Sequence, residues 1–264
     1  MGIKQRAYSV LGNIALVNFP IGKFKVSEKK KFAKKVLEKG PGIKTVVEKS
    51  KKFSGRLRKL KTKHLAGEKT KEVLYKENGC IFRFNIDDTY FSPRLSNERK
   101  EVADMVRKGE SVLVMFAGVA PFSIVIGKNS KASKIVSNEI NKKANKYAKL
   151  NLELNKLKKK VELMSGDIKR LVRQKKFGNE KFDVIVMPRP QLKDTFLKEA
   201  FALSKKGTRI YYYDFTPVDK VDEVIEKIKQ QAKESKKKIR IIKKKAAGEI
   251  APYKIRLRVD FKVI

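Results

Sequence analysis

The stretch "SVLVMFAGVAPFSIVIG" (residues 111–127) joins a β-branched apolar run, a cluster of small residues and a second apolar run with helical spacing. This order predicts a buried strand, a tight turn and a helix that begins near Pro121, because proline is favoured in the first turn of a helix. Small residues in the turn would let a ligand approach the backbone, but they would also let a helix pack on its own strand. Taken alone, the stretch does not establish a nucleotide-binding turn.

Strands and helices alternate on both sides of this stretch, from about residue 88 onward. A helix is predicted in "SNERKEVADMVRKGE" before it, and strands are predicted after it in "KIVSNEI", "KVELMSGD", "KFDVIVMP" and "GTRIYYYDF". Such alternation is typical of a mostly parallel sheet covered on both faces. The final strands, "IRIIKKKAA" and "YKIRLRVDFKVI", are close enough in sequence to pair antiparallel at one edge. We therefore predict an α/β fold with the Rossmann-like sheet and antiparallel edge hairpin of a methyltransferase.

The part before this alternation has the pattern of a small basic α+β domain. It contains a helix in "SEKKKFAKKVLEKG", a strand in "KTVVEKS" and a hairpin in "EVLYKENGCIFRFNID" that turns at Asn78 and Gly79. Between them, "KKFSGRLRKLKTKHLAGEKT" has no clean period, which leaves open a solvated loop or a strip that faces nucleic acid. We expect two domains, residues 1–86 and residues 87–264.

The net charge of the chain indicates the chemical class of its binding partner. It has 66 Lys and Arg residues against 28 Asp and Glu residues, a formal net charge of +38. Such an excess predicts a polyanionic partner, although a proteome biased towards lysine would also produce it. With Cys80 and His64 as the only cysteine and histidine, a zinc site, a disulfide framework and a Ser/His/Asp triad all lack residues. We expect a monomeric, soluble, cytoplasmic protein without a membrane segment or a metal.

Polar residues follow several of the predicted strands, where an open α/β sheet binds its ligands. Glu139 in "VSNEIN" could accept both hydroxyls of a ribose, or be an ordinary surface acid. Asp167 in "LMSGDI" could accept from an adenine amine, or simply cap a helix. The prolines of "VIVMPRP" would hold an extended loop over the pocket. Their arrival in order at successive strand ends favours a cofactor site over the separate structural explanations.

One further segment, "DDTYFSPRLSNERKEV" (residues 87–102), is richer in charge than packing requires. Ser96 could cap the following helix, and Glu98 in its first turn would suit the helix dipole. Neither effect accounts for Arg94 and Arg99 beside them. The segment is therefore a candidate part of the active site.

Several motifs of the chain resemble one enzyme family in order and spacing. They are "KHLAGEKT", "YFSPRLSNER", "MFAGVAPFSI", "NEIN", "SGDI" and "APYKIRLRVDF". They resemble the archaeal and eukaryotic class I tRNA (guanine-N1)-methyltransferases, which modify the guanosine 3′ of the anticodon, and the resemblance runs from Tyr8 to the end. It implies S-adenosylmethionine as cofactor, the tRNA anticodon loop as partner and methylation of guanosine 37 at N1.

The resemblance also implies roles for individual residues. Glu98 corresponds to the general base on guanine N1, Arg58 to the arginine that stabilises charge on O6. Substrate contacts are expected from Tyr90, Arg94, Pro188, Arg189 and Pro190, and cofactor contacts from Arg99, Phe116, Gly118, Ala120, Glu139, Ile140, Asp167 and Ile168. A base is needed because guanine N1 keeps its proton at neutral pH, and the target base must leave its loop stack to enter a pocket.

The chain departs from the family pattern at several places. Val114 stands where an Asp is usual, Ala120 where a Gly is usual, and "MPRP" replaces an Asn-Leu-Pro over the target base. The resemblance also implies that the chain starts where the second domain of the archaeal enzymes starts, so we expect it to lack the domain that checks the distant tRNA corner. We expect Ala120 to have a negative φ, at which its methyl group costs little.

The departures leave two other functions open. One is a relative in the wybutosine pathway, which either methylates a tricyclic base or transfers an aminocarboxypropyl group. The other is a degenerate tRNA-binding protein without catalysis.

Overall fold

The computed structural model describes residues 8–20, 22–54 and 59–264, with the backbone alone for 51–54 and 59. Its N-terminal part is a four-stranded sheet in the order β1 (Tyr8–Leu11), β2 (Ile14–Val17), β3 (Thr45–Ser54) and β4 (Lys59–Gly67). Helix α1 (Val26–Lys39) joins β2 to the parallel strand β3. Its apolar side buries Ala33 and Val36 against the sheet, so even this basic helix is anchored by an apolar stripe.

The basic segment "KKFSGRLRKLKTKHLAGEKT" (residues 51–70) overlaps the end of β3 and contains β4, so its interpretation as a solvated loop is wrong for 51–54 and 59–67. β3 and β4 pair antiparallel, and the register shifts between Val46 and Val47 and twice more beyond Lys49. Each shift adds a residue on one strand and interrupts the alternation of inward and outward side chains. The missing period in the sequence therefore has a structural cause.

The large sheet has seven strands in the order β12-β13-β11-β10-β7-β8-β9. They are β7 (Ser111–Val114), β8 (Lys134–Glu139), β9 (Val161–Ser165), β10 (Phe182–Met187), β11 (Ser204–Pro217), β12 (Ile239–Ala251) and β13 (Lys254–Val263). Strands β7 to β11 run parallel, whereas β13 pairs antiparallel with both β11 and β12. The predicted Rossmann-like sheet with an antiparallel edge hairpin is confirmed.

Helices cover both faces of this sheet. They are α2 (Ser96–Met105), α3 (Pro121–Asn129), α4 (Lys142–Leu154), α5 (Ile168–Arg173), α6 (Leu197–Ala202) and α7 (Val221–Glu234). Alternate residues of one strand enter different apolar clusters: Val112 and Val114 join one, and Leu113 joins the other. The chain passes from β7 to β8 on one side and later to β10 on the other, so a switch point lies at the carboxyl end of β7.

A separate hairpin joins the two parts. Strands β5 (Glu72–Glu77) and β6 (Cys80–Asn85) turn at Asn78 and Gly79, as predicted, and both of these residues have positive φ. On one side, Asn13 accepts a hydrogen bond from the Leu74 amide (2.8 Å). On the other, Asn155 of the α4 C-terminal end accepts from the Ile81 amide (2.9 Å) and donates to the Ile81 carbonyl (2.7 Å), while Asn151 accepts from the Arg83 amide (2.7 Å).

The start of α2 differs from the prediction. Ser96 is the first helical residue and makes no capping hydrogen bond; its hydroxyl accepts instead from the Asn78 amide group (3.2 Å). A 3₁₀ turn at Pro93–Leu95 precedes the helix, because proline already fixes a helical φ there. Glu98 does lie in the first turn, as expected. None of the helices in the described part of the chain is long and apolar enough to span a bilayer.

Candidate active site

A cleft opens where β7, β8 and β10 end, at the switch point of the sheet. Most of the residues expected to contact substrate or cofactor line it, namely Tyr90, Arg99, Phe116, Gly118, Glu139, Ile140, Asp167, Ile168, Pro188, Arg189 and Pro190. These residues come from segments up to 100 positions apart. The parallel sheet brings them together because it places the carboxyl ends of its strands at one edge.

The turn after β7 is built from left-handed backbone. Phe116, Gly118 and Ala120 have φ of 58°, 59° and 66°. The expectation of a negative φ at Ala120 is therefore wrong. Pro121 disfavours the right-handed helical region at the residue before it, and the sharp reversal of the chain into α3 places Ala120 in the left-handed region. Ala120 is fully buried below the turn, and its conformation costs about 1 kcal/mol.

Glu139 connects this turn to the next strand end. Its Oε2 accepts from the Gly118 amide (2.7 Å), and its Oε1 accepts from the Asn141 amide (2.7 Å). An ionised carboxylate can accept about four hydrogen bonds. Glu139 therefore fixes the shape of the turn and also lines the cleft.

Asp167 caps helix α5, because its side chain accepts from the Lys169 amide (3.0 Å). It also lines the cleft, so the two explanations of this residue are compatible. Asn138, which the sequence reasoning missed, donates to the carbonyls of Met164 (2.9 Å) and Gly166 (3.1 Å) and ties the ends of β8 and β9 together. The sequence carried little signal, because Asn138 lies between Ser137 and Glu139 in a strand whose only apolar residues are Ile135 and Val136.

The loop after β10 is held by Arg189. The guanidinium is 4% exposed and donates to the Tyr212 hydroxyl (3.0 Å) and to the carbonyls of Pro190 (3.2 Å), Leu192 (2.9 Å) and Asp194 (3.2 Å). It also forms an ion pair with Asp214. A buried arginine with this many acceptors is committed to the protein. Arg189 thus shapes the loop whose prolines wall the cleft.

Glu98 lies behind the wall of the cleft. The carboxylate is 5% exposed; its Oε2 accepts from the Tyr213 hydroxyl (3.2 Å) and from Arg258 (2.7 Å), and its Oε1 is 2.6 Å from the Lys245 ammonium. Tyr213 itself lines the cleft. Glu98 is therefore one hydrogen bond away from the cleft.

Glu98 belongs to a charge cluster, which we define as Glu98, Glu101, Lys245, Arg258 and Asp260, and of which only Glu101 and Lys245 are partly exposed. Arg258 is fully buried and donates to Glu101 (2.7 Å) and twice to Asp260 (2.8 and 3.0 Å). Burial alone would raise the pKa of Glu101, but hydrogen bonds from Arg258 and Lys245 lower it from 4.5 to about 2. Burial, followed by the nearby Glu98 charge, raises the pKa of Tyr213 well above its usual value, so the phenol is a neutral donor.

The other residues that were expected in the active site do not all lie at the cleft. Arg99 lines the cleft, but its guanidinium is paired with Glu77 (2.6 Å) and lies 5.0 Å from the Phe91 ring centre. Among the described residues, Arg94, Glu98 and Ala120 do not line the cleft, and Arg94 is exposed. Arg58 lies outside the described residues.

The outer wall comes from residues that sequence reasoning missed. Phe215 of β11 and Arg256 of β13 are paired across the sheet and line the cleft together. The Arg256 guanidinium lies 5.3 Å from the Phe215 ring centre and 3.5 Å from the Tyr90 hydroxyl. In the sequence these residues are part of long apolar and basic strands, where nothing distinguishes them from packing residues.

Comparison with known proteins identifies the family. The profile of the TRM5/TYW2 methyltransferase domain matches residues 73–242, more than half of the chain. The chain belongs to the TRM5/TYW2 methyltransferase family. The profile of the TYW2 N-terminal domain matches residues 3–70. The predicted resemblance is confirmed, and with it an S-adenosylmethionine-dependent methyltransferase.

Individual members of the family are similar over most of their length. The tRNA (guanine(37)-N(1))-methyltransferase Trm5b of Pyrococcus abyssi is 33% identical over 262 residues, which cover 97% of this chain and 74% of Trm5b. Its crystal structure superposes with a TM-score of 0.84 at 32% identity and the same coverage of the two chains. The tRNA (guanine(37)-N(1))/4-demethylwyosine(37)-methyltransferase Taw22 of Nanoarchaeum equitans is 32% identical over 305 residues, covering 98% of this chain and all of Taw22. A complex of aTrm5 with tRNALeu superposes with a TM-score of 0.83 at 29% identity, covering 98% of this chain and 72% of aTrm5.

Proposed function

We propose that this TRM5/TYW2 methyltransferase transfers the methyl group of S-adenosylmethionine to N1 of guanosine 37 in tRNA. The observation that carries the proposal is one cleft that is lined by two groups of residues. Gly118, Glu139 and Asp167, at the ends of the parallel strands, form the first group, and Tyr90, Tyr213 and the loop with Pro188 form the second. A cofactor and a flipped base could lie side by side there, in agreement with the activities named for Trm5b and Taw22.

The residues of the first group fit the cofactor. Glu139 would accept from the ribose hydroxyls and Asp167 from the adenine amine, while Phe116, Ile140 and Ile168 supply apolar surface for the adenine ring. When bound, S-adenosylmethionine supplies an electrophilic methyl group on its sulfonium. The protein contributes position, because a displacement of this kind depends on alignment of the attacking atom with the methyl carbon.

The proton on guanine N1 requires an acceptor, and we assign it to Glu98. The supporting geometry is the hydrogen bond from the Tyr213 hydroxyl to Glu98 (3.2 Å) at the wall of the cleft. Tyr213 would accept the N1 proton while it donates its own proton to the carboxylate, so both proton transfers stay within hydrogen-bond reach. Lys245 and Arg258 hold the carboxylate in place. A role for Arg58 at O6 and for Arg94 in the active-site wall stays a prediction.

The rest of the molecule fits a tRNA partner. The net charge of +38 favours binding to a phosphate backbone, and the complex of aTrm5 with tRNALeu shows a similar protein on such a ligand. We assign RNA binding to the small N-terminal domain as well, because its helix and strands are rich in lysine. The division of the chain at residues 86 and 87 stays a prediction; the β5–β6 hairpin contacts both parts.

The test is incubation with methyl-labelled S-adenosylmethionine and matched tRNA transcripts carrying G37 or A37, followed by nucleoside analysis. We expect 1-methylguanosine from the G37 transcript and no label in the A37 transcript. Label in both transcripts, or in neither under conditions where tRNA binds, would overturn the proposal. The second result would favour a binding protein without catalysis.

A second candidate is methylation of 4-demethylwyosine at the same position. It is favoured by the TYW2 N-terminal profile over residues 3–70 and by Taw22, which matches along its whole length and is named for both substrates. A third transcript carrying 4-demethylwyosine separates the possibilities in the same assay. A parallel arm with cofactor labelled in the carboxyl carbon would reveal aminocarboxypropyl transfer, since only that reaction moves this carbon to tRNA.

A further inference from the structure

The turn between β12 and β13 contains an unusual tyrosine. Ala251 and Lys254 are paired across the hairpin, so Pro252 and Tyr253 are the two residues of the turn. Tyr253 has φ 58°, and proline before it is locked near −65°. Proline followed by a positive φ is the pattern of a type II turn, whose second central position strongly favours glycine. A bulky aromatic residue at that position is a genuine outlier.

Nothing in the packing of the described residues offsets this conformation. Tyr253 is 87% exposed, more than any other large hydrophobic residue described. A buried side chain could compensate for a strained backbone, but a side chain in solvent does not. Where a local rule is broken without a gain in stability, function is the first explanation to test.

The turn is also held firmly near the cleft. The Tyr253 carbonyl accepts from the Val218 amide (3.0 Å), which ties the tip to the end of β11. Along the paired strands, Phe215 and Arg256 line the cleft, and Pro217 and Lys254 follow two positions later. At about 3.3 Å per residue, Tyr253 lies roughly 10 Å beyond Arg256. This distance corresponds to about three stacked nucleotides at ~3.4 Å each, and to fewer in an extended strand.

We propose that Tyr253 is a stacking platform for an unpaired base next to the target nucleotide. The inference rests on the proposed function, because it takes a tRNA loop as the substrate. An aromatic face stacks on any base, and nearby cations track the phosphates of a single strand. Lys254 and Arg256, on the same side of the turn as the cleft, supply those cations. A rigid, exposed ring would hold the neighbouring base while the target base enters the cleft.

Variants of Tyr253 test the inference in the methylation assay. Tyr253→Ala and Tyr253→Gly should raise KM for tRNA about tenfold and leave kcat and the KM for S-adenosylmethionine unchanged, since one stacking contact is lost. Tyr253→Phe should behave like the wild type. Leu74→Ala, at a half-exposed position on β5, is the matched control and should also leave KM unchanged. A wild-type KM in Tyr253→Ala would overturn the inference.

Misfolding cannot explain the expected pattern. Glycine suits a positive φ better than tyrosine, so Tyr253→Gly should melt at the same temperature as the wild type or higher. The same variant should bind tRNA more weakly. A stability that rises while affinity falls distinguishes a ligand contact from a structural role.

A binding measurement separates this inference from the proposed reaction. The chain has no tryptophan, so Tyr253→Trp introduces a single tryptophan whose fluorescence can be excited separately from that of the tyrosines. Its emission should be quenched by wild-type tRNA transcript and not by a transcript with abasic sites at the nucleotides flanking position 37. Quenching without methyl transfer would leave the inference standing and overturn the reaction. Methyl transfer without quenching, or quenching that persists with the abasic transcript, would overturn the inference.

Discussion

Ala120 shows that two small energies can cancel at one residue. Its left-handed backbone costs about 1 kcal/mol, but its fully buried methyl group contributes about 0.8 kcal/mol. We expect Ala120→Gly to change the free energy of unfolding by less than about 0.5 kcal/mol, measured by urea denaturation.

The matched control is Ala144 in helix α4, which is equally buried but helical. Ala144→Gly loses the methyl group and the helix propensity together and should cost about 1.5–2 kcal/mol. Equal losses in both variants would show that the Ala120 backbone is not strained.

Glu98 is the residue on which the proposed mechanism depends. Glu98→Gln keeps the shape of the side chain and removes the proton acceptor, so kcat should fall by about 100-fold or more. Affinity for tRNA and for S-adenosylmethionine should not change, because Glu98 is outside the cleft lining. Single-turnover methylation and separate binding titrations measure the two quantities. An unchanged kcat in Glu98→Gln would show that Glu98 is not the proton acceptor. A wild-type kcat in Tyr213→Phe would show only that the proton does not pass through the tyrosine.

At the scale of elements, the loop after β10 is ordered by an arginine rather than by its own backbone hydrogen bonds. Arg189→Met removes the ion-pair partner of Asp214, which keeps hydrogen bonds from the Tyr212 hydroxyl and the Phe215 amide, and it removes the side-chain donor of three loop carbonyls. We expect a loss of about 3 kcal/mol in the free energy of unfolding, the usual cost of removing one partner of a buried ion pair.

A double-mutant cycle identifies the cause of that loss. Arg189→Met combined with Asp214→Asn should be clearly less destabilised than the sum of the two single variants, because the unpaired charge is gone. If the losses in free energy of unfolding of the two single variants simply add up, Arg189 does not hold the loop through its ion pair with Asp214.

The charge cluster links α2 to the edge hairpin and makes stability depend on pH. The pKa of Glu101 is about 2 in the folded protein and near 4.5 otherwise, so its contribution is present above pH 4.5 and is lost as the pH falls towards 2. Melting temperatures recorded over this range should fall less steeply in Glu101→Gln than in the wild type. Glu226→Gln, at an exposed position on α7, is the control and should follow the wild-type curve. Identical curves for Glu101→Gln and the wild type would contradict the assignment.

At the scale of the whole molecule, the net charge of +38 predicts how tRNA binding responds to salt. Neutralising about six or more phosphates should weaken binding at least about 1000-fold between roughly 50 and 200 mM salt. Affinity for S-adenosylmethionine should change little over the same range. Filter binding and calorimetry provide the two curves. A tRNA affinity that hardly depends on salt would place the lysines outside the interface.

The hydrophobic periodicity of the sequence predicted much of this fold and part of the candidate site. Glu139 and Asp167 could be placed because parallel strands end at one edge, which is a property of the pattern. The resemblance pointed to Arg189 and Glu98, but their ion pairs could not be predicted, because Asp214 and Arg258 are far away in the sequence and reach them only in the folded sheet. The φ of Ala120 was missed because it depends on the proline after it and on the reversal of the chain, two constraints that composition does not reveal.

The two asparagines of α4 that contact β6 have a consequence for how molecules of this protein behave towards each other. An edge strand with unsatisfied amides is a template on which a strand of another molecule can add. Asn151 and Asn155 occupy the amides of Arg83 and Ile81 and so take the place of that strand. These two amides on the β6 edge are thereby closed to intermolecular β-pairing, which helps a nucleic-acid-binding chain to stay dispersed.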